Sequence, residues 1–136
     1  MKYWLVKTEP ETYGWDDLES RKEDIWDGVR NYQARNFLKE MQEGDAVLVY
    51  HSGKHREVVG VAKVSKAAFS DPADKEEKGW VAVKLAAERK LDRAVSLQEI
   101  KSQAELSEML LLKQSRLSVM GLTAGEFEYI LQLGEK

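Results

Sequence analysis

The eleven residues Trp26-Asp27-Gly28-Val29-Arg30-Asn31-Tyr32-Gln33-Ala34-Arg35-Asn36 set two aromatic rings, two guanidiniums and several carboxamides around one glycine. A helix start needs one capping side chain and sometimes a carboxylate. This segment offers ring faces and hydrogen-bond forks well beyond that need. Such groups can hold a flat polar heterocycle, of which a nucleobase is the foremost example.

Each residue also has a plainer reading. Trp4 lies in an apolar run and Trp80 begins a strand, so both read as core. Trp26 and Tyr32 sit among polar neighbours, which predicts half-exposed rings free to stack. Asn31 suits a helix N-cap, and its amide could equally meet a base edge. The free N–H groups of that helix start would seat a phosphate or carbonyl oxygen. Arg30 and Arg35, ordinarily solvated, gain value for phosphate contact or stacking beside two rings. Tyr50-His51-Ser52 closes the clearest strand, where side chains often line a mouth. Ser115-Arg116-Leu117-Ser118 brings two hydroxyls and a guanidinium into a late strand.

Recognisable catalytic or metal signatures do not accompany these residues. His51 and His55 stand four apart with no third ligand nearby, so no metal site is expected. There is no nucleophile elbow, phosphate-binding glycine loop or metalloprotease motif. His51 and Ser52 point to opposite faces of a strand and make no triad. No cofactor is implied. The leading reading is a non-catalytic binding module. The alternative is an enzyme acting on modified nucleotides or RNA through the same pocket, with His51 or Asp27 moving a proton. A third is a small-molecule or protein-interaction module whose pocket is filled by its own side chains.

Charge and composition narrow the partner. The net charge is −3 over 136 residues, which excludes gripping nucleic acid by bulk electrostatics. Residues 1–28 carry four basic and eight acidic side chains, whereas 29–56 carry five basic and three acidic. Arg30, Arg35, Lys39, Lys54 and Arg56 therefore make a local basic mouth, fit for one nucleotide or a short strand. Absence of cysteine removes disulfides and thiolate chemistry and points to the cytoplasm. No signal peptide is expected, and no apolar run approaches the ~20 residues that span a bilayer. Oligomeric state is left open.

The elements that must position these residues alternate in character. Tyr3–Val6 predicts a buried strand ended by Pro10, and Thr12–Ser20 a short helix. Asp24–Val29 reads as an extended segment broken by Gly28, followed by a helix from Asn31 to about Met41. Ala46–Tyr50 and Val58–Val64 predict an antiparallel hairpin, and Trp80–Leu85 a half-buried strand. Ala73–Gly79 predicts a mobile surface loop. Ser96 and Thr123 each begin a capping box, and Leu110–Val119 reads as a bend returning to a strand. The sum is an α+β fold, a strongly curved mixed sheet or open barrel with helices at its ends. No domain boundary interrupts residues 1–136.

Four stretches resemble successive signatures of the EVE domain family: Tyr3–Pro10, Trp26–Asn36, Gly44-Asp45 with Tyr50-His51-Ser52, and Gln114–Val119. That family belongs to the PUA-like group, with the thymocyte nuclear protein and the YTH readers of methylated adenine among its relatives. The resemblance implies a PUA-like pseudo-barrel of curved, mostly antiparallel strands with flanking helices. It also implies a modified base, notably 5-methyl- or 5-hydroxymethylcytosine in DNA or RNA, flipped into an aromatic pocket. The implied pocket draws on Lys7, Thr8, Trp26, Val29, Asn31, Tyr32, Tyr50, His51 and Ser52. Arg35 and Arg116 are implied near the rim, and the basic mouth adds Arg30, Lys54 and Arg56 as residues at the rim or against the backbone. Thr8 stands where serine is frequent in the family, and its extra methyl narrows the site. Without a fused nuclease, the chain reads as a stand-alone reader.

Overall fold

Apolar side chains at consecutive positions suit a strand covered on both faces. Strand β1 (Tyr3–Thr8) accordingly lies inside a sheet, between β3 (Ala46–His51) and β6 (Val119–Leu122). The structure, a computed structural model, describes residues 1–135. Its sheet has six strands in the order β2-β5-β4-β3-β1-β6, with β2 at Glu23–Trp26, β4 at Glu57–Ser70 and β5 at Val81–Ser96. Only β1 and β3 run parallel; the other four pairings are antiparallel.

The β4–β5 hairpin bends the sheet. Its register slips four times, between Val58 and Gly60, Val61 and Ala62, Val64 and Lys66, and Lys66 and Phe69. Each slip adds twist and curl to the bulged strand. Both strands run well past Val64 and Leu85, the ends expected from apolar alternation. Their continuations carry exposed Lys66, Glu88, Arg89 and Lys90 that hide the strand signal.

Helix α1 (Trp15–Arg21) packs across the sheet by Trp15 and Leu18, both essentially buried. Gly60 makes that docking possible: a Cβ there would fall 2.6 Å from the Trp15 ring. The helix starts at Trp15 because Gly14 is its N-cap: the Gly14 carbonyl accepts from the Asp17 and Leu18 N–H groups, and the Asp17 carboxylate accepts from the Gly14 N–H at 2.8 Å. Helix α2 (Tyr32–Glu40) begins at Asn31 and stops at Met41, as the sequence predicts. Buried Asp45 fastens β3 to the chain start, accepting from Trp4 Nε1 at 3.0 Å and from the Lys2 and Gln42 N–H groups.

Ala73–Gly79 is an exposed surface loop with internal ties: Asp71 holds the Ala73 N–H, and Asp74 holds those of Lys78 and Trp80. One expectation is corrected. The bend at Leu110–Val119 contains a helical turn, α4 (Leu110–Lys113), whose Leu111 is buried. Thr123 and Glu126 form the full capping box of α5 (Ala124–Leu133). Ser96 caps α3 (Leu97–Lys101), but Glu99 turns away to a two-pronged pair with Arg93 at 2.8 and 3.0 Å.

Candidate functional site

The two free edges of the sheet curl toward one another without joining. Edge strand β2 contributes Ile25 and Trp26, and the approach to the opposite edge contributes Ser118 and Val119. Between them the end of β1 supplies Lys7 and Thr8. The unclosed seam is a cleft of about 550 Å³, completed by Tyr13, Arg21, Asp24 and the run Asp27–Arg30. That volume lies within the ~300–1,000 Å³ range of small-molecule pockets.

Two rings form one wall. Trp26 and Tyr13 meet edge to face, centroids 6.0 Å apart. The Tyr13 hydroxyl donates to Asp24 at 2.7 Å, and burial together with that carboxylate raises its pKa. Tyr13 is thus a neutral, fixed ring. Asp24 also accepts from the Ile25 N–H and faces Arg21 at 3.6 Å, so its charge is balanced in place.

Cations mark the opposite side. Lys7 Nζ donates to the Ser115 carbonyl at 2.8 Å and stands 5.7 Å from the Tyr50 ring centre, and burial lowers its pKa. A half-desolvated ammonium holds a carbonyl oxygen more strongly than one in bulk water. Arg30 is anchored by Asp71 at 2.8 Å. The Asp71 side chain is fully buried, and it also accepts from the Gly28 and Ala73 N–H groups. Those donors outweigh the cost of burial and hold the Asp71 carboxyl below its ordinary range. Gly28 adopts a φ of +80°, which only glycine takes without strain, and the chain turns there from β2 toward α2.

The cleft brings together Lys7, Thr8, Trp26, Val29 and Arg30 from the residues singled out by sequence. Trp26 is more enclosed than its polar neighbours predict, at 8% exposure, because its ring packs on Tyr13 while one part faces the opening. Thr8 donates its hydroxyl proton to the Tyr13 carbonyl at 2.6 Å, leaving the oxygen as an acceptor.

Other sequence-selected residues lie elsewhere. Asn31 is a working N-cap, its carbonyl oxygen held by the Ala34 N–H at 2.9 Å. Tyr32 points outward onto Trp80, which is partly exposed and not core. Tyr50 is buried. His51 Nε2 accepts from the Trp15 N–H at 3.0 Å and so faces the start of α1, which removes it as a proton carrier in the cleft. Ser52 pairs its N–H with the Thr8 carbonyl just outside the lining. Lys54 and Arg56 border a separate groove with Glu9 and Glu11. Arg35 lies beside Tyr32, and Arg116 is exposed on the turn leading to Ser118.

Sequence reasoning passed over Tyr13, Arg21, Asp24, Ile25 and Val119. Tyr13 had a usable signal, since it too is a ring set among polar residues beside a glycine.

The EVE domain family model matches residues 2–133. Human thymocyte nuclear protein 1 is 34% identical over 167 residues, covering 98% of this chain and 74% of that protein. A crystal structure of the human protein in complex with 5-methylcytosine containing DNA superposes with a TM-score of 0.93 at 34% identity, covering 100% of this chain and 99% of that one. An Agrobacterium tumefaciens protein of known structure gives a TM-score of 0.96 at 33% identity, covering 98% and 93%. A YTH domain from Zygosaccharomyces rouxii shares the fold alone, with a TM-score of 0.61 at 18% identity over 99% and 87%.

Proposed function

The chain belongs to the EVE domain family, and on that footing we propose that it is a non-catalytic reader of a modified nucleobase in nucleic acid. The observation that carries the reading is the seam cleft, walled by Tyr13 and Trp26, in a fold shared with a protein solved on 5-methylcytosine containing DNA. Residues 1–136 act as one such domain, in the cytoplasm. The base read is 5-methyl- or 5-hydroxymethylcytosine, everted from its strand.

Cytosine chemistry fits the donors and acceptors on hand. Lys7 Nζ supplies a donor to the ring carbonyl, while the Thr8 oxygen and Asp27 supply acceptors for the exocyclic amino group. Trp26 and Tyr13 take the ring and its C5 substituent. Everting a base costs a few kcal/mol, and stacking returns ~1–3 kcal/mol per base. Burying one methyl contributes about 0.8 kcal/mol, close to fourfold in affinity. Larger discrimination requires the unmodified base to leave a polar group unpaired.

Fluorescence anisotropy with oligonucleotides differing only at cytosine C5 tests the proposal. The reading predicts a preference of about fourfold or more for the modified strand. Equal affinities across the set contradict it. Turnover of any probe during the titration would favour the enzymatic alternative, with Asp27 in place of His51 as its proton carrier.

A further inference from the structure

We propose that Tyr32, stacked on Trp80 and flanked by Arg35, is a second nucleotide site that takes the base next to the one in the cleft. The proposal rests on the modified-base reading for its first site and adds a neighbour to it.

Tyr32 is 67% exposed and, apart from Met1, the one large hydrophobic side chain left open to solvent among the described residues. Its ring lies 5.1 Å from that of Trp80 at 26°, a stacked pair. The Arg35 guanidinium stands 5.0 Å from Tyr32 and 5.5 Å from Trp80. Those three separations form a near-equilateral triangle, so Arg35 sits beside the stack. Across the outer face of Tyr32 it would stand roughly twice as far from Trp80. The outer face of Tyr32 is therefore free.

Holding the 71–79 turn does not require Tyr32. Trp80 is already tied through its N–H to Asp74 at 2.9 Å and through its carbonyl to the Asp71 N–H at 3.0 Å. An open ring face with a guanidinium beside it matches a ligand that is flat and anionic together, which describes a nucleotide within a strand.

Position decides which nucleotide. Arg30 lines the cleft and also stands 5.5 Å from the Trp80 ring, so one side chain is the wall between the two sites. Its link to buried Asp71 fixes that wall. A strand leaving the cleft past Arg30 reaches the Trp80–Tyr32 stack. The occupant is the flanking base of the same single strand.

The test compares three probes on the full chain: 5-methyl-deoxycytidine monophosphate, a single-stranded trinucleotide with 5-methylcytosine at its centre, and that trinucleotide with abasic flanks. Stacking of one further base predicts that natural flanks bind about fivefold or more tighter than abasic ones. Tyr32→Ala should erase that difference and leave the mononucleotide affinity unchanged, while Tyr32→Phe should keep it. Thermal melts confirm that the variants remain folded. A flank effect that survives Tyr32→Ala, or an equal loss for all three probes, overturns the proposal. The first reading fails separately if the mononucleotide does not bind while the trinucleotide with natural flanks still binds in a Tyr32-dependent way. Binding of no probe overturns both.

Discussion

Lys7 and Asp71 carry most of the electrostatic design, and they do so differently. Lys7 leaves part of its hydration behind on entering the cleft, and the Ser115 carbonyl and the Tyr50 ring compensate only in part. Lys7→Met should therefore leave the melting temperature intact or raise it, while base affinity falls by about tenfold or more. Isothermal titration with the modified mononucleotide reads this directly. Asp71 is structural: its fully buried side chain collects the Gly28 N–H, the Ala73 N–H and Arg30. Asp71→Ala orphans those donors, yet Arg30, at 37% exposure, can return to water. Urea melts should show a loss of about 2–3 kcal/mol, together with weaker binding as the Gly28 turn loosens. His51 gives a pH signature. Only its neutral form accepts from the Trp15 N–H, and burial holds its folded pKa below the ordinary 6.5. As pH falls through 6.5 the unfolded chain binds a proton that the folded chain refuses, so stability is full above 6.5 and declines beneath it. Denaturant melts between pH 7.5 and 5.5 should show that decline, and His51→Gln should flatten it.

At the scale of elements, two junctions decide whether the cleft exists. Helix α1 lies on the sheet only because Gly60 has no side chain beneath Trp15. Gly60→Ala drives a methyl into a large, fixed ring and should cost about 1–3 kcal/mol by thermal melt. An unchanged melting temperature would mean that α1 rides higher on the sheet than its contacts show. The other junction is the Gly28 turn, which swings the chain from edge strand β2 into α2. The sequence made both helix starts legible, because Asn31 and Thr123 cap by short-range chemistry confined to one turn. It also made the β3–β4 pairing legible through apolar runs around a short loop. The long β4–β5 hairpin was hidden, since its outer halves face water and carry charges that look like loop. For the site, residues adjacent along the chain proved poor guides to residues adjacent in space. Trp26 and Tyr32 are six apart, yet they face the cleft and the outer surface respectively. Tyr13 and Ser118 join the same cleft from far-separated segments, and no local pattern reports an approach of that kind.

At the scale of the molecule, the site is a consequence of incomplete closure. Bulges curl the sheet until β2 and β6 face each other, and the six strands stop short of a barrel. The seam that remains carries Lys7, Arg21 and Arg30, while the chain as a whole is acidic at −3. Such a protein should hold only a few phosphates. A plot of log Kobs against log salt should have a slope of roughly −2, and a slope several times steeper would indicate duplex coating instead. The separate Lys54 and Arg56 groove, bordered by Glu9 and Glu11, should contribute little to that slope.

Backbone amide NMR of the full chain, titrated with 5-methyl-deoxycytidine monophosphate, addresses the seam cleft most directly. Saturable shifts at Thr8, Trp26, Gly28 and Ser118, with Lys54 and Arg56 silent, are the predicted result. Shifts confined to the Lys54 and Arg56 groove, or none at saturating ligand, would contradict a base-sized site between the sheet edges.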